Sequence, residues 1–172
     1  MNRVPANVLH IAFFIVAMGP PALCQAQTGK IDAKQICIRM REASYADVDF
    51  AGAVSTHANV IVGCLISEVS RHDPGTMRAD AASALVQTIA TAHPPLDSQT
   101  AQHARETVLK ALRDRSVDVR VATVTALADF GDESMIPALQ AVAKTDPVLS
   151  LRDYTALAIT RMCKRLAGRS GT

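Results

Sequence analysis

The chain has 172 residues, and its 18 lysines and arginines nearly balance its 16 aspartates and glutamates, which leaves a formal net charge of +2. Such a charge creates no long-range field, which argues against nucleic acid and anionic membranes as partners. Only 3% of the residues are aromatic and none is Trp, so the chain is poor in the side chains on which sugars and single-stranded bases usually stack.

Residues 1–26 are predicted to be a secretory signal peptide. Arg3 gives a positive start, an apolar run over residues 8–18 follows, and small residues precede a cleavage position after Ala26. The run is shorter than the roughly 20 residues that span a bilayer, so stable membrane insertion is not expected. We therefore expect export, to the periplasm in a bacterium and otherwise by secretion. The alternatives are a buried N-terminal helix and a lipoprotein that retains acylated Cys24, for which the preceding residue is bulky.

Removal of the signal peptide leaves 146 residues, a length that suits one domain with its own core. Export to an oxidising compartment permits a disulfide, and the position of Cys37 and Cys64 in the N-terminal part favours these two as the pair. Spacing alone does not decide whether they are bridged, because a disulfide requires a specific geometry. Cys163 then remains, and we expect it to be a small buried side chain of the last helix.

Residues 27–57 do not share the pattern that follows and are predicted to be an N-terminal helical cap. A helix over residues 32–42 has an apolar face, and residues 50–54 begin the next helix. Stacked helical repeats need atypical terminal units to hide their open ends, which is the role expected of this segment.

Three later stretches share one pattern: an Asp, then an apolar–Arg pair, then small and apolar residues. They are Asp73 to Ile89, Asp114 to Phe130 and Asp146 to Met162. From Val119 the apolar or small positions recur at offsets 3, 4, 7, 8 and 11, which form one stripe of an α-helix. The same offsets from Met77 place Asp80 on the stripe. Asp80 therefore indicates either a shifted helix or a buried carboxylate that needs a partner.

A second apolar segment precedes each of these helices, which makes the unit a helix–turn–helix. Such a unit cannot bury its apolar stripe alone and must stack on its neighbours. The predicted repeats cover about residues 58–91, 98–131 and 132–167 of a repeat domain over residues 58–168, and residues 169–172 are predicted to be a disordered tail.

Residues 119–132 resemble the second helix of a HEAT repeat, and residues 136–139 resemble the first helix of the following repeat. Residues 151–162 fit nearly as well and residues 77–89 fit loosely. The resemblance covers about residues 59–166 and is closest to the short HEAT-like class seen in phycobilin-lyase-type proteins. It implies an all-α fold, a short α-solenoid of about three stacked repeats, and a scaffold or protein-binding role.

The resemblance also implies a role for the Asp and Arg of each copy. In HEAT repeats this Arg typically pairs with an Asp of its own or an adjacent repeat, and the pairs form a ladder along the stack. The alternative is an anion site on the inner face, which requires the arginines to project into solvent. The residues concerned are Asp73, Arg78, Asp114, Arg120, Asp146 and Arg152.

One insertion interrupts the repeat. The first two aspartates of the ladder are 41 residues apart and the next two only 32, and the excess falls at residues 91–98. Interruptions of a solenoid are often where it is adapted to its partner. His93, Pro94 and Pro95 are therefore the candidate interaction loop.

No catalytic residue, cofactor or metal site is predicted. The sequence contains no Gly-rich phosphate loop, nucleophile elbow or CxxC, and no His-Glu dipeptide of the kind through which HEAT-like di-iron proteins bind metal. The chain is therefore predicted to be a non-enzymatic scaffold that binds a protein. The alternative is a cofactor-handling, lyase-like or chaperone-like accessory protein. A deep pocket with converging His, Asp or Arg favours that alternative, and a shallow apolar groove favours the scaffold.

Overall fold

The structure, a computed structural model, describes residues 37–38, 50–72 and 75–169, with the side chains of the second range from residue 57 onward. Apart from Cys37 and Ile38, which are also helical, these residues form six α-helices and one 3₁₀ turn, joined by turns and loops. They are α1 (Phe50–Val69), α2 (Gly75–Thr91), α3 (Ser98–Ala111), α4 (Val117–Phe130), the turn Glu133–Met135, α5 (Ile136–Thr145) and α6 (Leu149–Arg169). No strand occurs in these ranges, and the predicted all-α fold class is confirmed.

The helices form two layers. The second helix of each repeat packs on the second helix of the next, so that α2, α4 and α6 lie side by side. The first helices cover this row: α1 packs on α2, α3 packs on α1 and α2, and α5 packs on α6. Three helix pairs in this order are a short α-solenoid, as the repeat pattern predicts.

The core lies between the layers and between successive second helices. A helix that packs on one neighbour buries one stripe, whereas α4 packs on α2 and on α6 and is therefore buried over a broader arc. Thr123 is fully buried on α4, and its hydroxyl donates to the carbonyl oxygen of Val119 at 2.7 Å. This bond satisfies the polar atom, so a threonine is tolerated in the core.

The buried stripe differs in one respect from the prediction. Asp80 is exposed on α2, as is Tyr154 at the matching position of α6, whereas the neighbouring Arg78 is buried. The next repeat covers the side of α2 that carries Arg78, which places the center of the buried arc away from Asp80. The interpretation of Asp80 as a buried carboxylate is therefore wrong, and the shifted-helix alternative fits the structure.

The two ends of the repeat domain also show features of their own. Helix α1 is kinked at His57, whose backbone is non-helical (φ −138°, ψ 31°), at the predicted boundary between cap and repeats. Helix α6 continues through Gly168 to Arg169, which is the first residue of the predicted tail. A glycine ends a helix readily when it adopts a positive φ, and no described glycine does so. The predicted signal peptide lies outside the described residues.

Candidate functional site

An arginine near the start of α4 joins the second repeat to the third. Arg120 donates from Nε to Oδ2 of Asp146 at 2.7 Å and from Nη2 to Oδ1 at 3.0 Å, while its Nη1 donates to the carbonyl oxygen of Asp114 at 2.8 Å. The side chains of Arg120 and Asp146 are only 7% and 4% exposed. This two-pronged, nearly dry ion pair holds the two repeats in one register.

Asp146 stays ionised because several donors converge on it. Burial alone would raise the pKa of this carboxyl, but the hydrogen bonds from Arg120 and from the amide of Val148, together with the charges of Arg120 and Arg152, lower it below its usual value. The Val148 amide donates to Oδ1 at 2.9 Å, so the carboxylate also closes the turn before α6. One residue thus serves the turn and the contact between repeats.

The first and second repeats are joined in the same way. Arg78 is buried, its guanidinium pairs with Asp114, and its Nε donates to the carbonyl oxygen of Val69 at 3.1 Å. Asp114 accepts from the amide of Ser116 at 2.8 Å, as Asp146 does from its own turn. In both pairs the Arg of one repeat reaches the Asp of the next repeat.

The two remaining ladder residues do not pair in this way. Asp73 lies outside the described residues. Arg152 is half-buried on α6, and its Nε is removed from water without a hydrogen-bond partner. The structure therefore brings four of the six ladder residues together in two pairs. Neither Arg78 nor Arg120 projects into solvent, which the anion-site alternative requires.

A basic groove runs along the turns of the stack. Two adjoining cavities of about 480 Å³ each open to solvent there and share Arg113, Asp114 and Arg115. Of the described lining residues, only Asp114 and Asp146 are acidic, and both already pair with arginines of the ladder. The basic lining residues are Arg71, Arg78, Lys110, Arg113, Arg115 and Arg120. We call this surface the turn groove, and its described residues carry a net positive charge.

The sequence prediction missed the turn groove because the charges of the whole chain nearly cancel. The run from Lys110 to Arg115 was the available signal, since it concentrates three cations at one turn. A smaller cleft of about 220 Å³ lies at the other end of α4, beside Phe130, and its lining is largely apolar. Both surfaces open to solvent, and the lining of the turn groove is charged, whereas an apolar groove is expected of a scaffold.

The candidate interaction loop is anchored at one end. His93, Pro94 and Pro95 are exposed, and the His93–Pro94 peptide bond is cis. At the end of the loop, Asp97 accepts from the amide and the hydroxyl of Thr100, each at 2.8 Å, and the amide bond lowers the pKa of the carboxyl most. Asp97 caps the N-terminus of α3 in this way, so one end of the loop is held in position by the helix.

The cysteines divide into a bridged pair and a free thiol. The structure joins Cys37 and Cys64 by a disulfide, with their Cα atoms 5.3 Å apart, and so ties residues 37–38 to α1. Cys163 is exposed on α6, so the expectation that it is buried is wrong. Its side of α6 has no following repeat among the described residues to cover it. No cluster of three potential metal ligands occurs in the described part of the chain.

The row of second helices joined by Arg–Asp pairs defines an α-solenoid of helical repeats. A family model described as HEAT repeats matches residues 64–160, which is more than half of the chain. The chain therefore belongs to the HEAT-repeat family, whose members commonly serve as scaffolds for protein interactions. No curated protein and no solved structure matches the chain. Of the helices that the structure describes, none has the length and apolar character needed to cross a bilayer.

Proposed function

We propose that this HEAT-repeat chain is a non-enzymatic, exported scaffold that binds an acidic segment of a protein partner in the turn groove. The observation that carries the proposal is the charge of the groove. Its two described carboxylates are engaged by Arg78 and Arg120, whereas the side chains of Lys110, Arg113 and Arg115 are exposed. Exposed cations beside neutralised carboxylates favour a negatively charged partner surface.

The ladder supports a binding role rather than catalysis. Arg120 and Asp146 are the kind of residues that an enzyme uses for charge stabilisation or proton transfer, but each holds the other in a buried pair between repeats. A carboxylate that is held ionised in this way is a poor general base, because its pKa lies far from neutral pH. These residues therefore maintain the shape of the groove.

The disulfide supports export. Disulfides persist in oxidising compartments and are rare in the cytosol, and Cys37 is joined to Cys64 in this chain. Sequencing of the N-terminus of protein purified from the envelope or the medium tests this part of the proposal. We expect the mature chain to begin at Gln27. Recovery of protein that still begins at Met1 from the cytosolic fraction would contradict it.

Affinity capture with matched charge reversals tests the groove. Residues 27–172 are immobilised and exposed to the envelope fraction of the source cells. Arg113→Glu reverses one exposed cation that lines both cavities, and Lys164→Glu reverses one exposed cation on α6 outside the groove. The wild type and Lys164→Glu should enrich the same partner, and the capture should weaken with salt, whereas Arg113→Glu should lose it. No partner enriched by the wild type, or equal capture by Arg113→Glu, would refute the proposal.

A further inference from the structure

The last helix exposes a face that the earlier repeats cover. In α2 and α4 the residues at three equivalent positions of this face are buried by the next second helix. They are Arg78, Ala82 and Val86 in α2 and Arg120, Val124 and Ala128 in α4. In α6 the equivalent residues are Arg152, which is half-buried, and Ala156 and Thr160, which are exposed. We call Leu149, Arg152, Ala156, Thr160 and Cys163, which share this side of α6, the open face.

Arg152 distinguishes the open face from an ordinary exposed helix surface. The two preceding arginines of the ladder each pair with an Asp in the turn before the next second helix. Arg152 occupies the third equivalent position, yet none of the described residues accepts a hydrogen bond from its buried Nε. A buried guanidinium nitrogen without an acceptor is unfavourable, and a carboxylate placed as in the two pairs would satisfy it.

We propose that the open face binds a helix of a partner protein whose N-terminal turn carries an Asp, and that this carboxylate pairs with Arg152 as Asp146 pairs with Arg120. Small side chains at Ala156 and Thr160 permit the close approach that stacked helices need. The proposal rests on the scaffold function above but uses a surface distinct from the turn groove.

Charge complementarity favours a partner protein over a second copy of this chain. The two described Asp turns of the ladder, at Asp114 and Asp146, are already engaged by arginines of their own chain. A second copy would have to break one of these pairs to offer either of these two carboxylates to Arg152. A partner with an unengaged Asp turn pairs with Arg152 without that loss.

A peptide of residues 144–162 is the probe. It contains Asp146 and the part of α6 that packs on α4. The peptide therefore reproduces the segment that covers Arg120 in the folded chain. We expect the full-length mature chain to bind this peptide about tenfold or more tightly than the same peptide with Asp146→Asn, because hydrogen bonds to charged groups carry this discrimination. In the Arg152→Gln chain the two peptides should bind equally. The Arg161→Gln chain, changed on another side of α6, should keep the discrimination.

A second variant serves as a control in case Arg152→Gln fails to fold. Thr160 is exposed, so Thr160→Arg should leave the fold intact, as judged by circular dichroism, and abolish peptide binding by filling the open face. Absence of binding to the wild type, equal affinity for both peptides, or discrimination that survives in Arg152→Gln would overturn the proposal. Light scattering that shows a dimer which Thr160→Arg converts to a monomer would assign the face to a second copy and overturn it too. If capture through the turn groove persists in any of these cases, only this inference fails.

Discussion

The pair of Arg120 and Asp146 offers a direct test of how the repeats are held together. Arg120→Met keeps an unbranched apolar stem but removes the guanidinium. The Asp146 carboxylate, only 4% exposed, then stays in a nearly dry site without its main partner. The carbonyl oxygen of Asp114, which accepts from Arg120 Nη1 at 2.8 Å, loses its donor as well. The substitution therefore leaves one charge and one backbone acceptor uncompensated.

We expect Arg120→Met to lower the free energy of unfolding by about 3–5 kcal/mol, the range found when one partner of a buried ion pair is removed. Arg152→Met is the matched control, because it makes the same change at the equivalent position of the next repeat. Arg152 is partly exposed and forms no described ion pair with an Asp, so its loss should cost about 1 kcal/mol or less. The difference between the two variants measures the ladder pair itself.

The assay is urea unfolding of the oxidised protein at pH 7, followed by circular dichroism. The double variant Arg120→Met/Asp146→Asn should be less destabilised than the sum of the single changes, because it leaves no buried charge unpaired. If Arg120→Met and Arg152→Met lower the free energy of unfolding equally, or if the single changes are additive, the pair does not hold the repeats together and the reasoning is refuted.

The pH dependence gives the same prediction a second readout. The pKa of Asp146 is lowered in the folded protein. Its stabilising effect is therefore complete above the unfolded pKa of about 3.9 and is lost as the pH falls through the lower folded pKa. The stability difference between wild type and Asp146→Asn should be constant from about pH 7 to pH 5 and narrow below about pH 4. Parallel stability curves down to about pH 2 would contradict the assigned shift.

Three further predictions concern the disulfide, the core and the glycines. Cys37→Ser should lower the free energy of unfolding by about 3–4 kcal/mol, the chain-entropy value for a bridge between residues 27 apart. Reduced wild type should unfold at the same urea concentration as Cys37→Ser. A midpoint equal to that of the oxidised wild type in both samples would contradict this prediction. Leu85→Ala, at a fully buried position, should cost about 2–5 kcal/mol in urea unfolding. The matched change Leu157→Ala, at a residue 69% exposed, should cost about 0.5 kcal/mol or less, so equal losses would count against the two-layer core. Gly63→Ala should raise Tm, because the site is exposed and helical with open space for a methyl group. Gly131→Ala should lower Tm, because its Cβ would lie 2.6 Å from a backbone oxygen. Shifts of Tm in the same direction for both variants would refute this prediction.

The sequence predicts the helical units well because their pattern is local. An Asp before a turn, an Arg after it and small residues at helical spacing recur within each unit, and this periodicity indicates the helix pairs and their stacking. It does not predict the direction of the pairing. Whether Arg78 bonds within its own repeat or to the next one depends on the rotation between repeats, which appears only when two units are packed.

The wrong expectations share a cause. Asp80 and Cys163 were placed from the apolar stripe of one helix, but their exposure depends on which side the next repeat covers. The run of Lys110, Arg113 and Arg115 indicates a local basic patch, but only the stack shows that the Asp114 carboxylate beside them is engaged by Arg78 of the preceding repeat. Properties of the stack are thus not readable from one unit.

Each described ladder Arg pairs with an Asp of the next repeat, so the open face, where Arg152 lies, discriminates between partner helices. Apolar packing alone is not directional, so many helices of suitable size could cover Ala156 and Thr160. Arg152 changes this, because a covering helix without a carboxylate would leave its guanidinium buried and unpaired, which costs more than leaving it partly solvated. A helix with an Asp in its first turn repeats the arrangement of Arg120 and Asp146 instead. The charge therefore selects the partner helix and its direction, while the small side chains only permit the contact.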